Sequence, residues 1–405
     1  MENSYINPQE VSQAEIIISI PTQNGEGDLV GTTLAVNSGL LEFFRSQKSV
    51  IINCDCSSNA GTKETFLGLE TEIPKIYIGM GDSQKKGRVL QNSLQRALDL
   101  DARILLIIEP NIANIQPVWI KKLVEPLEKN FQFVAPLYVH HKGENLLNNL
   151  MIYPLTRSLY GWRIKRPVGE ELGFRRDLIE KIFQKGVSNP YIESDGFNVC
   201  LSSMAMCFRV PMCQSVIGHP RRNVVNTDDI LNSYFCNVVG AAFSLMEPLE
   251  RYWQRIKWSK PTAILGLDTD EIEPAEEVEI DTENLHERFL GGFRKFEEFW
   301  RNTISQSTCN KLQEIRNLGM DHFSFPAQTW TSVVCDFALA FRGQDKDQQE
   351  HLLEALLPLY YGKALSYVKR TERMSVQQAD DCIEAECMVF EENKPYLVSK
   401  WNEFA

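Results

Sequence analysis

Between residues 15 and 138 the chain repeats one arrangement: a short apolar run rich in β-branched residues, then a longer stretch with apolar residues spaced by three and four. The runs fall at 15–20, 50–53, 75–78, 103–108 and 131–138. Strands that alternate with helices predict a parallel sheet, since parallel neighbours need a long crossover between them. The stretches 29–47 and 88–100 carry the helical period of a helix lying on such a sheet. Sheets of this kind bind ligands beyond the carboxyl ends of their strands. Polar residues stand there in this chain: Pro21-Thr22 after the first run, Cys54-Asp55-Cys56-Ser57-Ser58 after the second, and Glu109-Pro110-Asn111 after the fourth.

After about residue 225 the pattern changes to long amphipathic helices, at 228–246, 284–304, 329–341, 347–370 and 375–391, and no strand-like alternation returns. With 405 residues, more than one core usually accommodates, the chain is expected to form two units, 1–224 and 225–405. Residues 269–281 hold seven carboxylates and no basic residue, as a solvated connection does. A net charge of −12 without a basic stripe argues against nucleic acid as a partner. No apolar run reaches the roughly 20 residues that span a bilayer, so no membrane partner is expected. The N-terminal stretch lacks the basic and apolar parts of a secretory signal, so the expected location is the cytoplasm. Ten cysteines without zinc-type paired spacing are expected to be buried free thiols.

The first run ends in Pro21-Thr22-Gln23-Asn24, where proline is expected to turn the chain out of the ladder. In the second loop Asp55 has two readings: a carboxylate accepting an N–H of a uracil or guanine base, or an Asx turn that closes the loop. Together the two segments resemble the start of the glycosyltransferase A (GT-A) fold, whose nucleoside-binding carboxylate then falls on Asp55, with Pro21 and Thr22 beside the donor. Lys86-Gly87, opening a helix, resembles the Gly-Lys-Gly segment of mannosylglycerate and glucosylglycerate synthases; a cation at a helix start suits a diphosphate. Residues 166–173, Arg-Pro-Val-Gly-Glu-Glu-Leu-Gly, resemble the sugar-binding loop of those retaining synthases. There Gly169 would let backbone approach the sugar and Glu171 would accept two of its hydroxyls. The segment from Asp195 to Leu201 resembles the one whose carboxylate lies beside the acceptor, a position held here by Asn198. Ile217-Gly218-His219-Pro220 resembles the segment with the metal-binding histidine, which makes His219 a candidate ligand.

The resemblance implies an α/β GT-A domain followed by an α-helical C-terminal region. It further implies a hexosyltransferase that moves glucose or mannose, with retention, from a nucleotide-diphosphate sugar to a small hydroxy acid such as glycerate. Glu109, Asn111 and His219 would hold Mg²⁺ or Mn²⁺, while Asn198 and Glu171 would stand at the reacting centre. The chain departs from the family where Asp-x-Asp reads Glu109-Pro110-Asn111, because an amide offers only a neutral oxygen to a hard cation. Two amides at chemical positions, Asn111 and Asn198, also fit a second reading, a sugar-nucleotide sensor or partner subunit that has lost catalysis. A nucleotidyltransferase would need an early glycine-rich phosphate loop, which the chain lacks. Exposed amphipathic helices leave room for a homodimer.

Overall fold

A computed structural model describes residues 4–23, 28–57, 61–81, 85–187, 191, 193–222, 228–267 and 275–403. Asn24, Ser58 and the first part of the acidic stretch, singled out above, lie outside these. The strands are β1 (Ser4–Ile6), β2 (Ile16–Thr22), β3 (Ser49–Asp55), β4 (Lys75–Gly79), β5 (Ile104–Ile107), β6 (Phe133–Tyr138), β7 (Gly173–Arg175), β8 (Met212–Gly218) and β9 (Ala263–Leu265). The helices are α1 (Leu29–Phe43), α2 (Gly61–Gly68), α3 (Lys86–Asp99), α4 (Pro117–Glu128), α5 (Tyr153–Tyr160), α6 (Arg176–Lys185), α7 (Phe197–Phe208), α8 (Asp228–Ser244), α9 (Glu250–Trp253), α10 (Thr282–Thr303), α11 (Gln306–Arg316), α12 (Ala327–Phe341), α13 (Lys346–Thr371) and α14 (Val376–Glu403). They gather into two compact units, and the division is not a single cut near 224. Residues 1–139, 168–227 and 262–274 form the sheet unit; 140–167, 228–261 and 275–405 form the helical unit.

The sheet unit holds all nine strands in the order β1-β4-β3-β2-β5-β7-β6-β8-β9. β4, β3, β2 and β5 are mutually parallel, β7 runs antiparallel between β5 and β6, and β1 is antiparallel on β4. Every residue of β2 and β3 is buried, as strands covered on both faces are. Ile16, Ile18 and Ile20 pack into one core with Val36 and Leu40 of α1 and Trp119, Ile120 and Leu123 of α4. On the other face, Ser19 Oγ lies 2.7 Å from Ser93 Oγ of α3. Gly39 lets α1 approach α4, since a Cβ there would stand 2.7 Å from the Pro117 carbonyl oxygen.

Two expectations are corrected. Pro21 does not end its strand: β2 continues through it, with Pro21 opposite Cys54 and Thr22 opposite Asp55. Its missing donor falls on the β5 side, where pairing stops after Ile108 N–H bonds Ser19 O, so no ladder bond is lost. Nor is the chain beyond 225 free of strands, for β9 adds three residues parallel to β8.

In the helical unit, α5 belongs with the C-terminal helices because of its polar core. Arg157, 2% exposed, places Nη1 2.5 Å from Glu384 and donates from Nε to Glu391 at 2.7 Å. Beside this, Leu150 and Tyr153 pack with Ala364, Tyr367, Ala379, Ile383 and Cys387. α14 runs well past the expected end near 391, through Pro395 to Glu403, with Leu397 and Trp401 buried. All ten cysteines are free thiols, eight of them buried. No described helix is long and apolar enough to cross a membrane.

One acid response follows from this unit. Burial works to raise the Asp380 carboxyl, but a hydrogen bond from His140 and the charge of Lys165 prevail and hold it below its ordinary 3.8. A depressed carboxyl stabilises the fold above its unfolded pKa, and that contribution is lost as pH falls through the folded value. Thermal melts from pH 7 to pH 3 should therefore show a shallower acid loss for Asp380→Asn than for the parent chain; identical slopes would contradict the assignment.

Candidate functional site

The carboxyl ends of β2, β3 and β5 carry Thr22, Asp55 and, just after β5, Glu109, as the sequence places them. Asp55 is 3% exposed, and both its carboxylate oxygens accept hydrogen bonds. Oδ1 accepts from Thr22 Oγ1 at 2.8 Å and from the Ser57 N–H at 3.0 Å; Oδ2 accepts from the Tyr77 hydroxyl at 2.8 Å. The Ser57 bond is the Asx turn, so that reading of Asp55 is realised, and the carboxylate also joins the ends of β2, β3 and β4. Burial, reinforced by Asp55, pushes the Tyr77 hydroxyl above its ordinary range. Tyr77 therefore stays a donor.

Lys86 is the first residue of α3, and its ammonium lies 3.2 Å from Glu109 Oε2 and 3.6 Å from Glu170 Oε1. Glu109 is fully buried, while Lys86 and Glu170 keep part of their surface. Glu170 and Glu171 follow the buried Gly169 in the loop that enters β7. Neither Glu170 nor Arg222 stood out in the sequence, yet both are central. Residues 112–113 pair with 221–222, which sets Arg222 beside Asn111. Its Nη1 donates to Asn111 Oδ1 at 2.7 Å and lies 2.5 Å from Glu170 Oε2; its Nη2 reaches both Glu171 oxygens, at 3.1 and 3.0 Å. Tyr138 closes the group by donating to Glu171. A one-residue register slip between β6 and β8 at Leu137/Tyr138, opposite Gly218 with φ +97°, turns that tyrosine inward.

The electrostatics follow from this packing. Burial raises the Glu171 carboxyl, against the pull of Arg222 and with the push of Glu170. Burial also works on Glu170, but Arg222 and Lys86 outweigh it and keep that carboxyl low. Three carboxylates thus alternate with two cations beyond the strand ends, an arrangement able to exchange internal ion pairs for those of a phosphate-bearing ligand.

The three residues expected to hold a metal each meet another protein group. Glu109 faces Lys86, Asn111 accepts from Arg222, and the His219 ring places Nδ1 3.1 Å from the Val139 carbonyl oxygen. Among the described residues no three His, Cys, Asp or Glu side chains are placed to hold a metal ion. Asn198 is buried in the first turn of α7, and no described hydrogen bond or ion pair joins it to the cluster. A cavity of about 410 Å³ in the helical unit, lined by Lys363, Tyr367 and Arg370 among others, contains none of the expected residues.

This sheet, with its one internal antiparallel strand and its polar residues at the carboxyl ends, is of the α/β class expected from the sequence, and a largely helical C-terminal part is present as expected. Among solved structures the chain is similar to glucosyl-3-phosphoglycerate synthase from Mycobacterium tuberculosis. In its complex with Mn²⁺, UDP and phosphoglyceric acid the identity is 17%, over 58% of this chain and 78% of that one, with a TM-score of 0.44. Its complex with Mg²⁺ and UDP gives 16%, 58%, 80% and 0.44, and that with Mn²⁺, UDP and glucosyl-3-phosphoglycerate 15%, 65%, 89% and 0.43. No protein-family model and no curated protein matches the chain.

Proposed function

We propose that the chain is a glycosyltransferase that moves glucose or mannose, with retention, from a nucleotide-diphosphate sugar to a small hydroxy acid. The observation that carries this reading is the convergence of Asp55, Lys86, Glu109, Asn111 and the Glu170-Glu171 loop at the carboxyl ends of a mostly parallel sheet. Lys86, at the start of α3 and partly open, meets the diphosphate. Thr22, with Pro21, and the loop closed by Asp55 line the nucleoside, Gly169 and Glu171 face the sugar, and Asn198 faces the acceptor. In the transfer, the C1–O bond to the diphosphate breaks while an acceptor hydroxyl oxygen bonds C1 on the same face. The hydroxyl proton passes to the departing phosphate oxygen, so the protein supplies positioning and charge neutralisation rather than a nucleophile. Glu109 lies against Lys86, Asn111 accepts from Arg222 and His219 faces the Val139 carbonyl oxygen, so as placed these three side chains do not present a joint ligand set to a divalent cation.

Asn111, tied to Arg222, favours the second reading, a sugar-nucleotide sensor. Release of nucleoside diphosphate from UDP-, GDP- or ADP-glucose and GDP-mannose, measured with and without glycerate or 3-phosphoglycerate, separates the two. Acceptor-dependent release supports the transferase. Binding without any release supports the sensor and overturns catalysis.

A further inference from the structure

Arg222 sits where a cation is wanted. Asn111 Oδ1 and Glu170 Oε2 converge on Nη1 at 2.7 and 2.5 Å, and both oxygens of Glu171 stand within 3.1 Å of Nη2. These are hard oxygens from three side chains, the donor type that Mg²⁺ and Mn²⁺ prefer, and they surround one positive group. Glu171 is wholly buried and cannot be left ionised without a counter-charge. A guanidinium keeps its proton at any pH the protein survives, so acid–base change does not vacate the position.

We propose that Arg222 occupies a divalent-cation seat formed by Asn111, Glu170 and Glu171, and that it keeps metal out of the ligand-free site. A guanidinium held in this two-pronged way and a metal ion cannot share the same oxygens. A neutral residue at 222 leaves two carboxylates and an amide oxygen facing each other across the space of the lost guanidinium. A divalent ion then restores their counter-charge, so Arg222→Ala creates a metal site in place of a protein cation. The inference concerns the free protein and does not depend on which nucleotide, if any, the site takes.

The test is Mn²⁺ binding to the full chain without nucleotide, followed by the magnetic-resonance signal of free Mn²⁺. Arg222→Ala should bind Mn²⁺ at least about tenfold more tightly than the parent chain, while Arg222→Lys, which keeps the charge, should resemble the parent. Any smaller gain in the alanine variant, or an equal gain in the lysine variant, overturns the proposal. Should the alanine variant fail to fold, Arg222→Gln, which keeps polarity and much of the stem, replaces it. The parent chain gives an independent check: Mn²⁺ alone should leave its melting temperature unchanged, and a rise would also overturn the assignment. Since no nucleotide is present, failure here leaves the transferase reading standing, and failure of that reading leaves this result intact.

Discussion

Arg157→Met should destabilise the helical unit by about 3–5 kcal/mol, the cost of stranding a buried charge. The guanidinium lies between Glu384 and Glu391, with the Tyr153 hydroxyl 3.3 Å from Nη1. Its removal leaves Glu391, whose side chain is 8% exposed, without its closest cation. Methionine preserves most of the stem volume, so the loss reports charge rather than a cavity. Urea unfolding followed by helical circular dichroism measures it. A change below about 1 kcal/mol, the range of exposed ion pairs, would contradict the packing described for α5 and α14.

Asp55→Ala should cost about 2–3 kcal/mol, because it strands the Thr22 and Tyr77 hydroxyls and the Ser57 N–H at the ends of three strands. Asp55→Asn retains one accepting oxygen and should lose about half as much. The comparison bears on the site, for a carboxylate tied to three donors shapes the loop proposed to line the nucleoside. Equal stability of all three proteins in denaturant would show that the carboxylate is free for a ligand instead.

Much of the sheet was legible because its central strands are continuous β-branched runs with few competing readings. β7 was not: Gly173–Arg175 is three residues long and takes its place from pairing with β5 and β6 rather than from any local pattern. β9 was hidden for the same reason. Pro395 would normally argue for a helix end, yet α14 continues, since Leu397 and Trp401 bury beyond it and Lys394 donates to the carbonyls of Ser158 and Leu159. At the site, loops after strands singled out Asp55, Glu109 and Asn111, whereas Lys86 and Glu171 were singled out by the resemblance of their segments to a sugar-transferase family. Arg222 was invisible because its pairing with Asn111 spans 111 residues of sequence, and the pairing of 112–113 with 221–222 brings the two together. The one available hint was the amide itself. An amide in place of a carboxylate lowers the demand for a metal, and a protein cation meets what remains.

The most direct test of the nucleotide-sugar reading is a thermal-shift panel of UDP-, GDP- and ADP-glucose and GDP-mannose at millimolar concentration, repeated with Lys86→Ala. A ligand that binds only the folded chain raises its melting temperature. The account predicts that one nucleotide series raises it by roughly 3 °C or more, and that Lys86→Ala removes most of that rise. No shift with any of the four, in a chain that melts cooperatively, would contradict it.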